Sequence, residues 1–180
     1  MIPFFKAVRK RENAVPVSKQ VLFTILIFIS GLFFGFLAKY LDLHTQNLGN
    51  VFSQMSIWIL LGTILSVKSR SPARASINVF SFCIGMLITY YITAELAKGV
   101  YSMTFVYGWA AFSLLSPIFA YLTWFSRGRG WIAKGISCGI LLCMLLCAVL
   151  LFDKIRLSDL ILLFLTALFL FVLPNRKAPQ

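Results

Sequence analysis

Acidic residues are scarce in this chain: five Asp and Glu stand against 17 Lys and Arg, and there is one histidine in 180 residues. A single histidine excludes metal sites built from several imidazoles. No H-E-x-x-H, G-x-S-x-G or Walker A pattern occurs, so protease, hydrolase and nucleotide-hydrolysing chemistries have no motif to stand on. The four cysteines, Cys83, Cys138, Cys143 and Cys147, form no C-x-x-C pair and have no histidine cluster beside them. That excludes the usual zinc and dithiol frameworks, and they read as small buried thiols. Long polar stretches are missing too, which leaves no room for a water-soluble domain. No cofactor and no metal is expected.

What fills the chain is apolar. Six runs, at roughly 20–38, 48–67, 76–97, 104–125, 132–152 and 157–173, each approach the roughly twenty residues that a bilayer-crossing helix needs. With 60% hydrophobic residues, 18 Phe and a mean hydropathy of +0.90, the sequence holds more apolar surface than one water-soluble core can hide. The expected fold is all-α, a compact bundle of six transmembrane helices. Residues 1–19 are a basic N-terminal segment, 20–173 the membrane domain and 174–180 a short tail. The start resembles a signal peptide, but its apolar run is long and no A-x-A-like cleavage site follows, so it is expected to remain as the first helix.

Charge sets the orientation. Thirteen of the basic residues fall in the N-terminal tail, the loops after the second and fourth runs and the C-terminal tail; only Lys39, Lys98, Lys154 and Arg156 fall on the other side. Because short cytoplasmic loops retain Lys and Arg, both termini are expected in the cytoplasm. The net charge of +12 therefore has a topological cause, and nucleic acid is not an expected partner. Arg70, Arg74, Arg127 and Arg129 are expected to meet anionic lipid headgroups, each contributing about 1 kcal/mol near the surface.

Two helices carry small residues at helical spacing. Gly31, Gly35 and Ala38 share one side of the first, and Gly135, Gly139, Cys143 and Cys147 follow at four-residue steps in the fifth. Such stripes let another backbone approach closely, either within the bundle or from a separate membrane subunit. Pro117, preceded by Ser113 and Ser116, is expected to bend the fourth helix and free a carbonyl for a serine hydroxyl.

Polar groups in or beside a membrane are costly and point to function. Tyr91, Glu95 and Lys98 lie on one face of the third helix. Lys39, Asp42 and the lone His44 close the first, with Gln46, Asn47 and Gln54 following on the same expected outer side. The candidate ligand-binding set is Glu95, Tyr91, Asp42, His44 and Lys98. Against it stands the plain reading: Glu95 and Lys98 form an exposed ion pair worth a few tenths of a kcal/mol, and His44 is solvated. Asp153 and Asp159 are expected to end the fifth helix and start the sixth.

Two passages, Gly31 to Asp42 (GLFFGFLAKYLD) and Ser69 to Tyr91 (SRSPARASINVFSFCIGMLITYY), resemble a family of small uncharacterised six-helix bacterial membrane proteins of unknown function. The resemblance implies a bacterial cytoplasmic membrane location and covers about the first half of the chain. In architecture the chain is also similar to the S components of energy-coupling-factor transporters, with Gly31, Gly35 and Ala38 where those proteins carry an alanine stripe for a partner subunit. Their vitamin-binding motifs are absent here. Three functions are therefore expected to compete: binding or movement of a small polar solute from the outer side without an ATP site, a structural or regulatory subunit of a membrane complex, and an integral-membrane transferase.

Overall fold

The computed structural model describes residues 8–9, 16–45, 49, 51–52, 54–97, 103–152 and 155–172. Among them the chain forms six helices and no strand: α1 (Val17–His44), α2 (Met55–Lys68), α3 (Pro72–Leu96), α4 (Met103–Thr123), α5 (Trp131–Phe152) and α6 (Leu157–Ala167). A 3-10 turn at Trp124–Arg127 follows α4, and a π turn at Leu168–Val172 continues α6. Segments containing α1, α3, α4 and α5 are long and apolar enough to cross a membrane. They carry their apolar side chains outward: Leu22, Phe23, Leu26, Phe33 and Phe36 on α1 are each about half exposed. Water would penalise that surface and hydrocarbon would not.

Two boundaries differ from the sequence expectation. The first helix does not stop near residue 38 but runs to His44, where Thr45 turns extended and its N–H and hydroxyl both donate to the Leu41 carbonyl at 2.8 Å. Lys39, Asp42 and His44 are thus helical. The second helix starts at Met55, with Gln54 in extended conformation ahead of it, and has 14 residues. At 1.5 Å per residue it is about 21 Å long, short of the roughly 30 Å hydrocarbon core.

The chain divides into two compact units. One comprises residues 14–53 and 76–119, thus α1 with most of α3 and α4; the other comprises residues 1–13, 54–75 and 120–180, with α2, α5 and α6. Short loops favour contacts between successive helices, yet α1 pairs with α3. A Cβ on Gly31 would strike the Phe82 carbonyl, one on Gly35 the Met86 carbonyl and Thr89 hydroxyl, and one on Gly85 would lie 2.6 Å from the Phe28 carbonyl. Each step of four along α1 is matched by a step of four along α3, so the two helices run parallel with backbones nearly touching. Thr89 Oγ1 donates to the Leu32 carbonyl at 2.6 Å and Thr24 Oγ1 to Asn78 Oδ1 at 2.9 Å, polar bonds across the same seam. In α4, Ser116 Oγ donates to the Ser113 carbonyl at 2.8 Å, the acceptor that Pro117 leaves without its helical N–H. Ser76 on α3 donates to the Pro117 carbonyl at 2.7 Å.

In the second unit α2, α5 and α6 pack on one another and on the 3-10 turn. Trp124 and Phe125 are wholly buried. Arg9 reaches them from the N-terminal segment: its guanidinium lies 4.2 Å above the Trp124 ring and donates to the carbonyls of Trp124 (2.7 Å) and Val67 (3.0 Å). Val67 belongs to the last turn of α2, where carbonyls lack helical donors. Trp124 Nε1 in turn donates to the Ser69 carbonyl at 2.6 Å. α5 turns Ala133, Ser137, Met144 and Ala148 inward, and Ser137 Oγ donates to the Ser126 carbonyl at 3.1 Å.

Candidate functional site

The strongest candidate lies at the C-terminal ends of α1 and α3. Continuing the glycine register by one more step of four brings Lys39 opposite Tyr90, and the Lys39 ammonium sits 5.4 Å from the Tyr90 ring centroid. Lys39 is 4% exposed, although an ammonium loses much hydration on burial. Asp42, one turn on, compensates it with Oδ2 at 2.8 Å from Nζ. The partners are unequal, since the Asp42 side chain is about a third exposed. Tyr91 packs edge-on against Tyr90, with ring centroids 5.2 Å apart. Gly49 folds back onto this turn: its N–H donates to the Thr45 carbonyl at 3.1 Å, and a Cβ there would lie 2.7 Å from the Asp42 Cα. Gly49 thus lies directly against the Asp42 backbone.

Of the ligand set expected from sequence, Asp42 and Tyr91 belong to this cluster. Glu95 is exposed in the last turn of α3. His44 is exposed as well; its ring stacks on Tyr40 at 4.3 Å and Nδ1 donates to the Tyr40 carbonyl at 2.9 Å, so it caps the end of α1. Lys98 lies outside the described residues, as do Gln46, Asn47 and Asp153. Lys39 and Tyr90, which the sequence places beside the expected ligand set but not in it, form the centre of the cluster. The available signal was the register: Gly31, Gly35 and Lys39 are four apart, so whatever faces the glycines also faces the lysine.

A second polar cluster joins the first residues of α2 and α6. Ser56 Oγ donates to Asp159 Oδ1 at 2.5 Å, and the Arg156 N–H donates to Asp159 Oδ2 at 3.2 Å. With the amide orientation that satisfies both its ends, Gln54 donates to Ser158 Oγ (3.0 Å) and Asp159 Oδ1 (3.2 Å) and accepts from Arg156 Nη1 (3.1 Å). Gln54, Ser56 and Asp159 are all at least 95% buried. Asp159 does begin α6, as its sequence context suggests, and it also ties α6 to α2. Its oxygens are occupied by donors from within the protein, which marks a structural fastening.

The remaining expected positions divide clearly. Gly31, Gly35 and Ala38 are buried. Gly135 and Gly139 are exposed, and a Cβ at either meets nothing within 4 Å. Arg70 and Arg129 are exposed, whereas Arg74 and Arg127 are half-buried, with the Arg127 guanidinium 5.4 Å from the Phe169 ring centroid. Among the described residues no group of three or more His, Cys, Asp or Glu could hold a metal ion.

The family model of a family of unknown function, DUF6518, matches residues 14–172, and the chain belongs to that family. No curated protein and no solved structure matches it.

Proposed function

We propose that the protein is a multi-pass protein of the bacterial cytoplasmic membrane that binds, and helps move, a small polar solute from the outer side, using Lys39, Asp42 and Tyr90. The observation supporting this reading is the burial of Lys39. An ionisable side chain in an apolar helix pair costs several kcal/mol unless paired, and such groups in membrane helices are characteristically functional. The α1–α3 seam needs no lysine for packing, because Gly31, Gly35 and Gly85 already bring the backbones together. Nothing in this arrangement supplies energy, so movement would draw on a gradient or a partner. Glu95 and His44 are then rim residues that a solute passes.

Solute uptake into proteoliposomes tests the reading. Lys39→Met should abolish uptake while leaving the folded amount nearly unchanged, and Glu95→Gln should lower it by a smaller factor. Full uptake by Lys39→Met would remove the proposal.

One observation favours the subunit reading as a second function: Gly135 and Gly139 form an exposed small-residue face on α5. Replacing both with Leu would then reduce recovery of a co-purified membrane partner without affecting uptake. The exposed Arg70 and Arg129, expected at the cytoplasmic face from the charge pattern, suit anionic headgroups. Changing both to Ala should weaken retention of phosphatidylglycerol by about 1 kcal/mol per residue.

A further inference from the structure

We propose that the solute group bound at the α1–α3 cluster is an oxyanion, a carboxylate or a phosphate, which takes the Lys39 ammonium from Asp42. The inference rests on the reading of this cluster as a solute site and adds the sign of charge that the site selects. The two halves of the ion pair are built differently. Lys39 is 4% exposed and its Nζ lies close to the Tyr90 ring, so the cation is fixed in the protein. Asp42, with its side chain about a third exposed, is the half that faces outward.

An ammonium offers three donors and no acceptor, so a ligand gains from it only by presenting lone pairs, and most by presenting negative charge. An anion arriving from the exposed side competes for the place that Asp42 Oδ2 holds at 2.8 Å. The released carboxylate rehydrates readily because it already touches solvent. A cation bound by Asp42 would draw the carboxylate away and leave the buried ammonium uncompensated, whereas an anion replaces the charge it displaces. Asp42 thereby serves as a placeholder: it keeps the buried lysine paired while the site is empty, avoiding an uncompensated charge in a low-dielectric setting. Gly49 lies close against the backbone beneath it.

The oxyanion can come from a free solute or from a lipid headgroup. α1 is 28 residues long, about 42 Å, and exceeds a hydrocarbon core of about 30 Å, which places its last turns near the headgroups.

The test uses the purified full chain in a neutral detergent at constant ionic strength. Thermal unfolding is followed while inorganic phosphate, glutamate, choline, phosphatidylglycerol or phosphatidylcholine is titrated. At least one oxyanion should stabilise the wild-type protein, and choline should not. Lys39→Met should lose the response, with Lys39→Arg retaining it as the conservative control. Asp42→Asn, which removes the competing charge while keeping shape, should respond at about five- to tenfold lower anion concentration. That gain needs no change in Lys39, so it decides the matter even if Lys39→Met does not fold. A response to phosphate or glutamate identifies a free anion, and one confined to phosphatidylglycerol identifies a headgroup. Stabilisation by choline that disappears in Asp42→Asn would overturn the anion class and leave the solute reading standing. Silence from every additive in wild type and in Asp42→Asn would remove the solute reading itself.

Discussion

Gly35 and Gly135 are the same residue type at the same kind of helical spacing, and the structure gives them opposite roles. A methyl on Gly35 runs into the Met86 carbonyl and Thr89, backbone and a β-branched side chain that cannot move aside cheaply. A methyl on Gly135 meets open space. Gly35→Ala should therefore destabilise the folded protein by about 1–3 kcal/mol through overpacking. Gly135→Ala should be neutral or stabilise by up to about 1 kcal/mol, because Ala loses less backbone entropy in a helix. Equilibrium unfolding of the two variants in the same detergent measures both. A loss of stability in Gly135→Ala equal to that in Gly35→Ala would show that the exposed face is already filled by a second copy of the chain.

At the scale of helices, hydropathy makes the long elements legible because their apolar runs are continuous. It fails at α2, where residues on either side of Ser53 and Gln54 average to an apolar window although the helix begins only at Met55. It also cannot name partners: Gly31 and Gly35 announce a close contact, but only the three-dimensional register assigns it to α3. On α5 the glycine stripe suggests the packed face, whereas Ala133, Ser137, Met144 and Ala148 form the buried side. The bond from Ser56 to Asp159 spans more than half the chain, and no local periodicity encodes it. Asp159→Ala should strip Ser56 and Gln54 of their buried acceptor and leave the Arg156 N–H at the start of α6 without Asp159 Oδ2, costing about 2–4 kcal/mol. Asp159→Asn keeps one acceptor oxygen and should cost about half as much. Arg9, which looks like one more positive charge in a basic tail, fastens the end of α2 to the 3-10 turn that follows α4. Arg9→Lys retains the charge but has no fork to reach two carbonyls, so it should lose most of the stability that Arg9→Ala loses. If Arg9→Lys instead matched wild type in unfolding, charge alone would account for the residue.

For the whole molecule, the charge distribution carries the orientation on which the solute reading depends. Thirteen basic residues against four favour cytoplasmic termini, and that orientation would put His44 outside and Arg70 inside. Both residues are exposed, so each can be replaced without opening a core. In a background with Cys83, Cys138, Cys143 and Cys147 changed to Ala or Ser, a cysteine at position 44 should react with a membrane-impermeant maleimide in intact cells. A cysteine at position 70 should react only after the membrane is opened. The reversed pattern would turn the Lys39 cluster toward the cytoplasm, and the ligand would then be sought among cytoplasmic anions while the local chemistry of Lys39 and Asp42 stayed as described. Labelling at both positions in intact cells would mean that short helices such as α2, at 14 residues, do not cross the membrane as single spans, so that simple alternation of sides does not apply.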